Sequence, residues 1–393
     1  MRSPLAWLAL SLTALLGACG AGSAPDTAPA NVAVAAGDAS AVVSWTSEPG
    51  LEYWVFHADG ATISYETRTS QPNYRAVFKA VSPQTVTGLT NGVEHAFIVA
   101  AFKGDSKAGP ASPSVSTTPR PAGTSWTIGT PAGTGALNAV ATNGTKFAAV
   151  GAGGALFTSS DAINWTAVTS TTTSTLNAIV FADNRWVAVG AGGAIVSSPD
   201  AVTWETRSSN VTANLNGITS LNGRLIAVGD GGTIVTSTNV SGWSVAASGT
   251  TQNLYGAGSG NGKAIAVGAA GTVLTSSDGQ NWSASASGTS AALRDAVWGA
   301  GVYAVVGASG TALWSADGLA WTAASAPASP DLRAAAFGSQ FAAVGALGTV
   351  LLSADGKTWT AASSGTTSQL NAVRFGVQRF SAVGEAGANL TAL

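Results

Sequence analysis

The most regular feature of the sequence is a ladder of tryptophans that starts at Trp126. Seven tryptophans recur at intervals of 39 residues, with a final interval of 38, and seven leucines repeat the same spacing. The tryptophans are Trp126, Trp165, Trp204, Trp243, Trp282, Trp321 and Trp359. The leucines are Leu137, Leu176, Leu215, Leu254, Leu293, Leu332 and Leu370. Each unit holds short apolar runs separated by turn residues, which predicts four short strands and so one blade of a β-propeller.

The turns inside the repeat also predict antiparallel strands. Runs such as LNAV and FAAVG are joined by Asn-Gly pairs, at Asn143-Gly144, Asn222-Gly223 and Asn261-Gly262, which favour tight hairpins. Gly-rich segments such as Gly151 to Gly154 follow strands without opening helices, so we interpret them as turns and not as nucleotide-binding loops. The fold class is therefore all-β, with a seven-bladed propeller over residues 125–393.

The phase of the repeat predicts how the ring closes. Trp126 is a fourth-strand landmark, whereas the sequence reaches Leu393 after only three strands of the last unit. We expect the strand around Ser125 to Ile128 to complete the sheet formed by residues 370 to 393, which removes two exposed sheet edges. An open solenoid would leave both partial units unpaired, so it is the less favoured arrangement.

Residues 29–118 follow a different pattern, the period-two alternation of a small antiparallel sandwich. It is visible in Val42-Val43-Ser44-Trp45 and in Tyr53-Trp54-Val55-Phe56. The stretch VTGLTNGVEHAFIVAAF resembles the second half of a fibronectin type III domain, in which Trp45 takes the place of the core tryptophan. His95 stands where that family usually has a corner tyrosine, so the corner hydrogen bond is open to question. We interpret this domain as a spacer, joined by residues 119–124 to the propeller.

The N-terminus has the features of an export signal. An apolar run follows Arg2 and is too short to span a bilayer, so residues 1–18 predict a signal peptide. The sequence Leu16-Gly17-Ala18-Cys19 resembles the lipobox of bacterial lipoproteins, which implies lipidation of Cys19. The alternative is an ordinary signal peptide with an accidental cysteine. If Cys19 is lipidated, residues 19–28 are a lipidated linker.

The predicted location follows from these features. The protein is expected to be exported and held to the membrane of the cell envelope through its lipid anchor. Gly20 replaces the aspartate that usually signals inner-membrane retention, which favours the outer membrane where two membranes are present. The net charge is −2, and the sequence has no blocks of like charge, which argues against a nucleic-acid partner. We expect a monomer.

The turn before most ladder tryptophans carries a Ser-x-Asp motif. Short Asp and Ser side chains hydrogen-bond to nearby turn backbone, so these aspartates are predicted to be structural and not catalytic or metal-binding. The motif resembles the Asp-box, or BNR, repeat of sialidases and of photosystem II assembly-factor-like propellers; Asn239 replaces the aspartate in the third copy. The five aspartates are Asp161, Asp200, Asp278, Asp317 and Asp355.

The propeller region offers little for catalysis. It contains neither histidine nor cysteine, which removes the usual general base, thiol nucleophile and common metal ligands. Hydrolysis of a glycoside needs two carboxyl groups facing one substrate, and no spacing selects a pair from the acidic residues outside the turns. The acidic residues outside the turns that could in principle supply such a pair are Asp230, Asp295, Asp331 and Glu385. We therefore predict no catalytic residue, no metal and no cofactor.

A candidate binding ring follows the leucine ladder. The first strand of each blade lines the central channel, and the residue after each ladder leucine is predicted to face it. Arg294 and Arg333 come from neighbouring blades, so they could together hold a carboxylate or phosphate group. The alternative is that the asparagines bond to adjoining backbone and the arginines are solvated. The ring comprises Asn138, Asn177, Asn216, Tyr255, Arg294, Arg333 and Asn371.

The resemblance to the photosystem II assembly-factor-like group implies a protein-binding scaffold. We therefore predict a binding or scaffold lipoprotein whose partner is an envelope protein or a polysaccharide. The first alternative is a carbohydrate-binding protein or a degenerate glycosidase of the sialidase type. The second is a role purely in envelope assembly, with no small ligand.

Overall fold

The computed structural model describes residues 24–104 and 107–393. The described chain divides into two compact units; apart from Ala36–Ser40, which group with the larger unit, the boundary lies between Thr118 and Pro119. No helix within the described residues is long and apolar enough to cross a membrane. The predicted signal peptide, residues 1–18, and the predicted lipidation site, Cys19, lie outside the described residues.

The smaller unit is a two-sheet sandwich. One sheet has the order β1-β2-β5 and the other the order β4-β3-β6-β7, and its core is formed by Trp45, Tyr53, Val55, Phe97 and Val99 between them. The alternation seen in the sequence thus places every second residue in this core. The strands are β1 (Ala33–Gly37), β2 (Ser40–Ser44), β3 (Glu52–Asp59), β4 (Arg75–Ala80), β5 (Gln84–Thr87), β6 (His95–Phe102) and β7 (Val115–Thr117), and one 3-10 helix, η1, spans Arg68–Ser70.

Both histidines of this unit are buried. The Thr90 N–H donates a hydrogen bond to His95 Nε2 at 3.3 Å, and His95 Nδ1 lies 3.0 Å from Asp59 Oδ1. His95 therefore accepts a hydrogen bond from the backbone five residues upstream, at the corner where the family's tyrosine would make its hydrogen bond. His57 stacks on Phe97, and burial lowers its pKa to about 4, so the ring stays neutral at neutral pH.

The larger unit is a β-propeller in which the described residues form seven four-stranded sheets. Their strands are β8 (Trp126–Ile128), β9 (Leu137–Thr142), β10 (Phe147–Gly151), β11 (Leu156–Ser159), β12 (Thr166–Val168), β13 (Leu176–Ala182), β14 (Arg185–Gly190), β15 (Ile195–Ser198), β16 (Glu205–Arg207), β17 (Leu215–Leu221), β18 (Arg224–Gly229), β19 (Ile234–Ser237), β20 (Ser244–Ala246), β21 (Leu254–Gly260), β22 (Lys263–Gly268), β23 (Val273–Ser276), β24 (Ser283–Ser285), β25 (Leu293–Gly299), β26 (Val302–Gly307), β27 (Ala312–Ser315), β28 (Thr322–Ala323), β29 (Leu332–Phe337), β30 (Phe341–Gly345), β31 (Val350–Ser353), β32 (Thr360–Ala362), β33 (Leu370–Gly376), β34 (Arg379–Gly384) and β35 (Asn389–Ala392).

A one-turn 3-10 helix joins the second and third strands of each sheet. These helices are η2 (Ala152–Gly154), η3 (Ala191–Gly193), η4 (Asp230–Gly232), η5 (Ala269–Gly271), η6 (Ala308–Gly310), η7 (Ala346–Gly348) and η8 (Glu385–Gly387). Gly154 shows why glycine ends the turn, since it has a φ of 74° and a Cβ there would overlap the carbonyl of Thr172. The Gly-rich segments are therefore turns, which pack against the connection leading to the next sheet.

The sheets form a closed ring through their first strands. Each first strand contacts the next in the cyclic order β9, β13, β17, β21, β25, β29, β33 and back to β9. The ladder leucines are buried between neighbouring sheets, and Leu176, Leu215 and Leu254 are fully excluded from solvent. Burial of these repeated side chains, together with the small residues beside them, stabilises the ring.

The last sheet contains the predicted shared strand. Strand β8 pairs antiparallel with β35, with Trp126 opposite Ala392 and Ile128 opposite Leu390. The Gly129 N–H extends the pairing by donating to the Asn389 carbonyl at 2.9 Å. The first strand of this unit thus completes the sheet made by the last three.

The hairpin at Asn143-Gly144 is present, since β9 and β10 pair antiparallel on either side of it, but the conformation of its turn differs from that of the others. Asn222 and Gly223 both have positive φ values, 47° and 77°, as a tight hairpin turn requires. Asn143 does not, because in its repeat the Asn-Gly pair lies one position earlier relative to the ladder leucine. Its Oδ1 instead accepts hydrogen bonds from the N–H groups of Thr145 and Lys146, at 3.0 and 2.9 Å, so the side chain of Asn143 stabilises the turn.

Candidate functional site

A cavity of about 480 Å³ runs along the inner faces of the seven first strands of the propeller. All seven residues of the predicted ring line it. The structure therefore brings together side chains that are separated by more than two hundred residues in the sequence. Their surroundings divide the ring into asparagines that are bonded and three other side chains that are not.

Each asparagine of the ring ties its own sheet to the next one. The Nδ2 group donates to the backbone carbonyl of the following ladder leucine at 3.0 Å. The pairs are Asn138 with Leu176, Asn177 with Leu215, Asn216 with Leu254, and Asn371 with Leu137. The last pair joins the final sheet to the first, so these amides act as links between sheets.

Two of the asparagines also contact an acidic residue. Asn216 Nδ2 lies 2.8 Å from Asp230 Oδ1, and Asn371 Nδ2 lies 3.3 Å from Glu385 Oε1. Both carboxylates therefore hold the asparagine amides in place. These contacts occupy the amide N–H donors that a ligand at this edge of the cavity would need.

Tyr255, Arg294 and Arg333 occupy the same position without such links. The guanidinium carbon of Arg294 lies 4.7 Å from the centre of the Tyr255 ring. The Nε atoms of Arg294 and Arg333 are buried and have no hydrogen-bond partner among the described residues. A buried N–H without a partner costs about 1–3 kcal/mol, so these two groups favour an acceptor.

Two further charged residues line the cavity and were not in the predicted ring. Arg374 follows Leu370 by four positions, where the other repeats have Ala, Val, Thr or Gly. Asp295 follows Leu293 by two positions, where the others have Ala or Gly. A position-by-position comparison of the repeats would have shown both, because each replaces a small or uncharged residue.

Asp295 is held by backbone donors of two sheets. Its Oδ1 accepts the Ala296 N–H at 2.8 Å, and its Oδ2 accepts the Ala335 N–H of the next sheet at 3.0 Å. Removal from bulk water raises the pKa of Asp295 to about 6, although these two bonds and the charge of Arg374 oppose the shift. The Arg374 side chain is exposed to the cavity. The protein around the cavity removes it from bulk water, and this desolvation lowers its pKa, although the charge of Asp295 opposes the shift.

The Ser-x-Asp turns are closed by their own side chains. In the second copy, Asp200 Oδ1 accepts the N–H groups of Val202 and Thr203 at 2.8 Å and lies 2.9 Å from Ser198 Oγ. These bonds lower the pKa of Asp200 to about 2. In the third copy, Asn239 Oδ1 accepts the Gly242 N–H at 2.8 Å. Equivalent backbone bonds are made by Asp161, Asp278, Asp317 and Asp355.

The remaining acidic residues do not meet in the cavity. Of the four candidate carboxyl groups, Asp230, Asp295, Asp331 and Glu385, only Asp295 lines it. Asp331 instead accepts the Ser309 N–H at 2.8 Å. Across residues 24–104 and 107–393, no three His, Cys, Asp or Glu side chains come together as a metal-binding group.

Comparisons with known proteins agree with the propeller fold. Residues 108–215, which include the first two sheets of the ring, match the family described as the DUF6242 beta propeller domain. No curated protein matches the chain.

Solved structures show the same fold at low identity. "YCF48 bound to D1 peptide" is 17% identical with a TM-score of 0.57, and the alignment covers 68% of this chain and 94% of that one. "YCF48 from Cyanidioschyzon merolae" is 16% identical with a TM-score of 0.55, over 68% and 98% of the two chains. The WD40 beta propeller domain of Doa1 is 13% identical with a TM-score of 0.56, over 69% and 97%. The larger unit is thus a β-propeller.

Proposed function

We propose that the propeller is a protein-interaction module that binds an anionic group of its partner in the central cavity. The observation that carries this proposal is the pair Arg294 and Arg333, whose buried Nε atoms have no hydrogen-bond partner within residues 24–104 and 107–393. The cavity around them is otherwise lined largely by small residues. Guanidinium groups bind carboxylate and phosphate by paired hydrogen bonds. Two of them on neighbouring sheets form a site for such a group.

A peptide is the partner class that the comparisons support best. One protein with this fold has a structure described as bound to a D1 peptide. At 17% identity this likeness concerns the fold, so it suggests a mode of binding and no particular partner. Glycoside hydrolysis has less support, because the cavity wall contributes one carboxyl group where two are needed.

The rest of the chain suits a binding protein of the cell envelope. We propose that residues 29–118 are a fibronectin type III-like spacer and that residues 125–393 form a closed seven-bladed ring. The lipobox-like sequence supports attachment through a lipid on Cys19. Replacement Cys19→Ser should release the protein into the soluble fraction; an equally membrane-bound variant would contradict the anchor.

The binding proposal is tested with Arg294→Ala combined with Arg333→Ala. Wild type and the folded double variant are used to pull partners from an envelope extract, and are applied to an array of acidic and neutral peptides and to a glycan array. The control is Arg120→Ala with Arg185→Ala, which removes two exposed arginines outside the cavity. We expect the cavity variant alone to lose acidic peptides. Recovery of the same partners by all three proteins would overturn the proposal, and glycan binding alone would identify a carbohydrate-binding protein.

A further inference from the structure

The charged residues of the cavity come from three consecutive sheets. Its wall contains three arginines, Arg294, Arg333 and Arg374, and one aspartate, Asp295; its other lining residues are uncharged. Each arginine lies on the first strand of its sheet, on β25, β29 and β33. Positive charge is therefore concentrated on one side of the cavity, opposite the bonded asparagines Asn138, Asn177 and Asn216 of the first three sheets.

Arg374 has the properties of a binding group. Its side chain is exposed to the cavity, and its guanidinium forms no hydrogen bond or salt bridge with another residue of the described chain. It lies three positions further along its strand than the ring residue Asn371, so it lines the same cavity at a different level from Arg294 and Arg333. An anion held by those two arginines would have a third arginine on the same cavity wall.

Asp295 supplies the one negative charge among the described residues of the cavity wall, and this charge partly offsets the positive charge of these arginines. It adjoins Arg294 in the sequence, and its Oδ2 is bonded to the Ala335 N–H, two residues beyond Arg333. The neighbouring strand β21 presents Tyr255, β29 presents Arg333 and β33 presents Arg374. On β26 the only ionisable residue is Tyr303, whose hydroxyl is bonded to the Gly260 carbonyl.

We propose that the anion site extends along the cavity wall to Arg374, and that Asp295 controls its affinity by gaining or losing one proton. This inference rests on the proposed function, since it concerns the same cavity. With Asp295 ionised, the wall carries three guanidiniums and one carboxylate; with Asp295 protonated, the three guanidiniums act alone. The site therefore holds a doubly charged oxyanion more tightly in mild acid than at neutral pH.

The control works in both directions because binding and protonation are linked. A bound anion disfavours the nearby carboxylate, so it raises the proton affinity of Asp295. Burial already raises its pKa to about 6, which places the change between pH 5 and pH 7.5. Binding at pH 6 should therefore take up protons from the buffer.

The test uses sulfate as the probe, because sulfate stays doubly charged over this pH range. Isothermal titration calorimetry is carried out on the full chain at pH 5.0, 6.0 and 7.5 at constant ionic strength, in buffers of different ionisation enthalpy. We expect affinity for sulfate to be about tenfold higher at pH 5.0 than at 7.5, the factor that corresponds to a pKa change of one unit on binding. Proton uptake should be largest near pH 6.

Three variants test the role of Asp295 and the role of Arg374 separately. Asp295→Asn should bind sulfate with the acid affinity at every pH, and Arg374→Met should bind more weakly at every pH while keeping the pH dependence. Asp183→Asn removes a carboxyl group outside the cavity wall and should behave as wild type. If Asp295→Asn fails to fold, the measured proton uptake and the Arg374→Met variant still decide the question.

The outcomes distinguish the two proposals. Absence of sulfate binding to wild type at any pH would remove the anion site, and the proposed function with it. Binding that does not change with pH, or pH dependence that persists in Asp295→Asn, would overturn the role of Asp295 alone. Undiminished binding by Arg374→Met would confine the site to Arg294 and Arg333.

Discussion

The closure of the propeller can be tested by adding a single methyl group at Gly129. This residue extends strand β8, and its φ lies outside the left-handed region, so alanine is compatible with its backbone. A Cβ there would overlap the side-chain amide of Asn389, which is fully buried on β35. That amide cannot simply turn away, because its Nδ2 is bonded to the Thr130 carbonyl.

The expected cost follows from these contacts. Overpacking a buried site costs about 1–3 kcal/mol, and loss of the Asn389 to Thr130 hydrogen bond adds about 1–2 kcal/mol. Gly129→Ala should therefore lower the free energy of unfolding by about 2–5 kcal/mol. For a unit of this size that corresponds to a fall in Tm of about 5–15 °C.

Differential scanning calorimetry of the full chain measures this effect, with Gly135→Ala as the matched control. Gly135 also has an ordinary φ, and its nearest neighbour to a new Cβ is 4.0 Å away, so the control should be neutral or slightly stabilised. If Gly129→Ala melts within about 1 °C of the control, tight packing of the closing strand is not what holds the ring together.

Three other predictions concern stability. Deletion of residues 124–130 should lower the Tm of the propeller far more than removal of residues 29–118, because it exposes a sheet edge; equal effects would argue against a shared sheet. Asn177→Ala should destabilise the ring by about 1 kcal/mol in urea unfolding, whereas Arg333→Ala at the equivalent position should change it by less than about 0.5 kcal/mol. The pKa of His57 is lowered to about 4, so stability should fall as pH drops from about 6.5 to 4, by up to about 3 kcal/mol. His57→Gln should abolish that pH dependence in thermal unfolding.

The sequence by itself determined the repeat, the strands within it and the propeller that they build. The spacing of Trp126, Trp165 and their successors depends on local alternation and turn chemistry, which each repeat carries in full. The phase of that spacing also indicated which strand completes the last sheet, and β8 does pair with β35. The position after each ladder leucine was correctly placed on the cavity wall.

Only the tertiary structure decided what those cavity residues do. Asn177 donates to Leu215 across a sheet boundary, and this bond depends on the distance and offset between neighbouring sheets, which no single repeat specifies. The same offset leaves the Nε atoms of Arg294 and Arg333 without hydrogen-bond partners among the described residues and brings Arg374 and Asp295 into one cavity. Periodicity thus fixes which way each side chain points, whereas the contacts and charge of the site arise only when the ring closes and its first strands meet around a common axis.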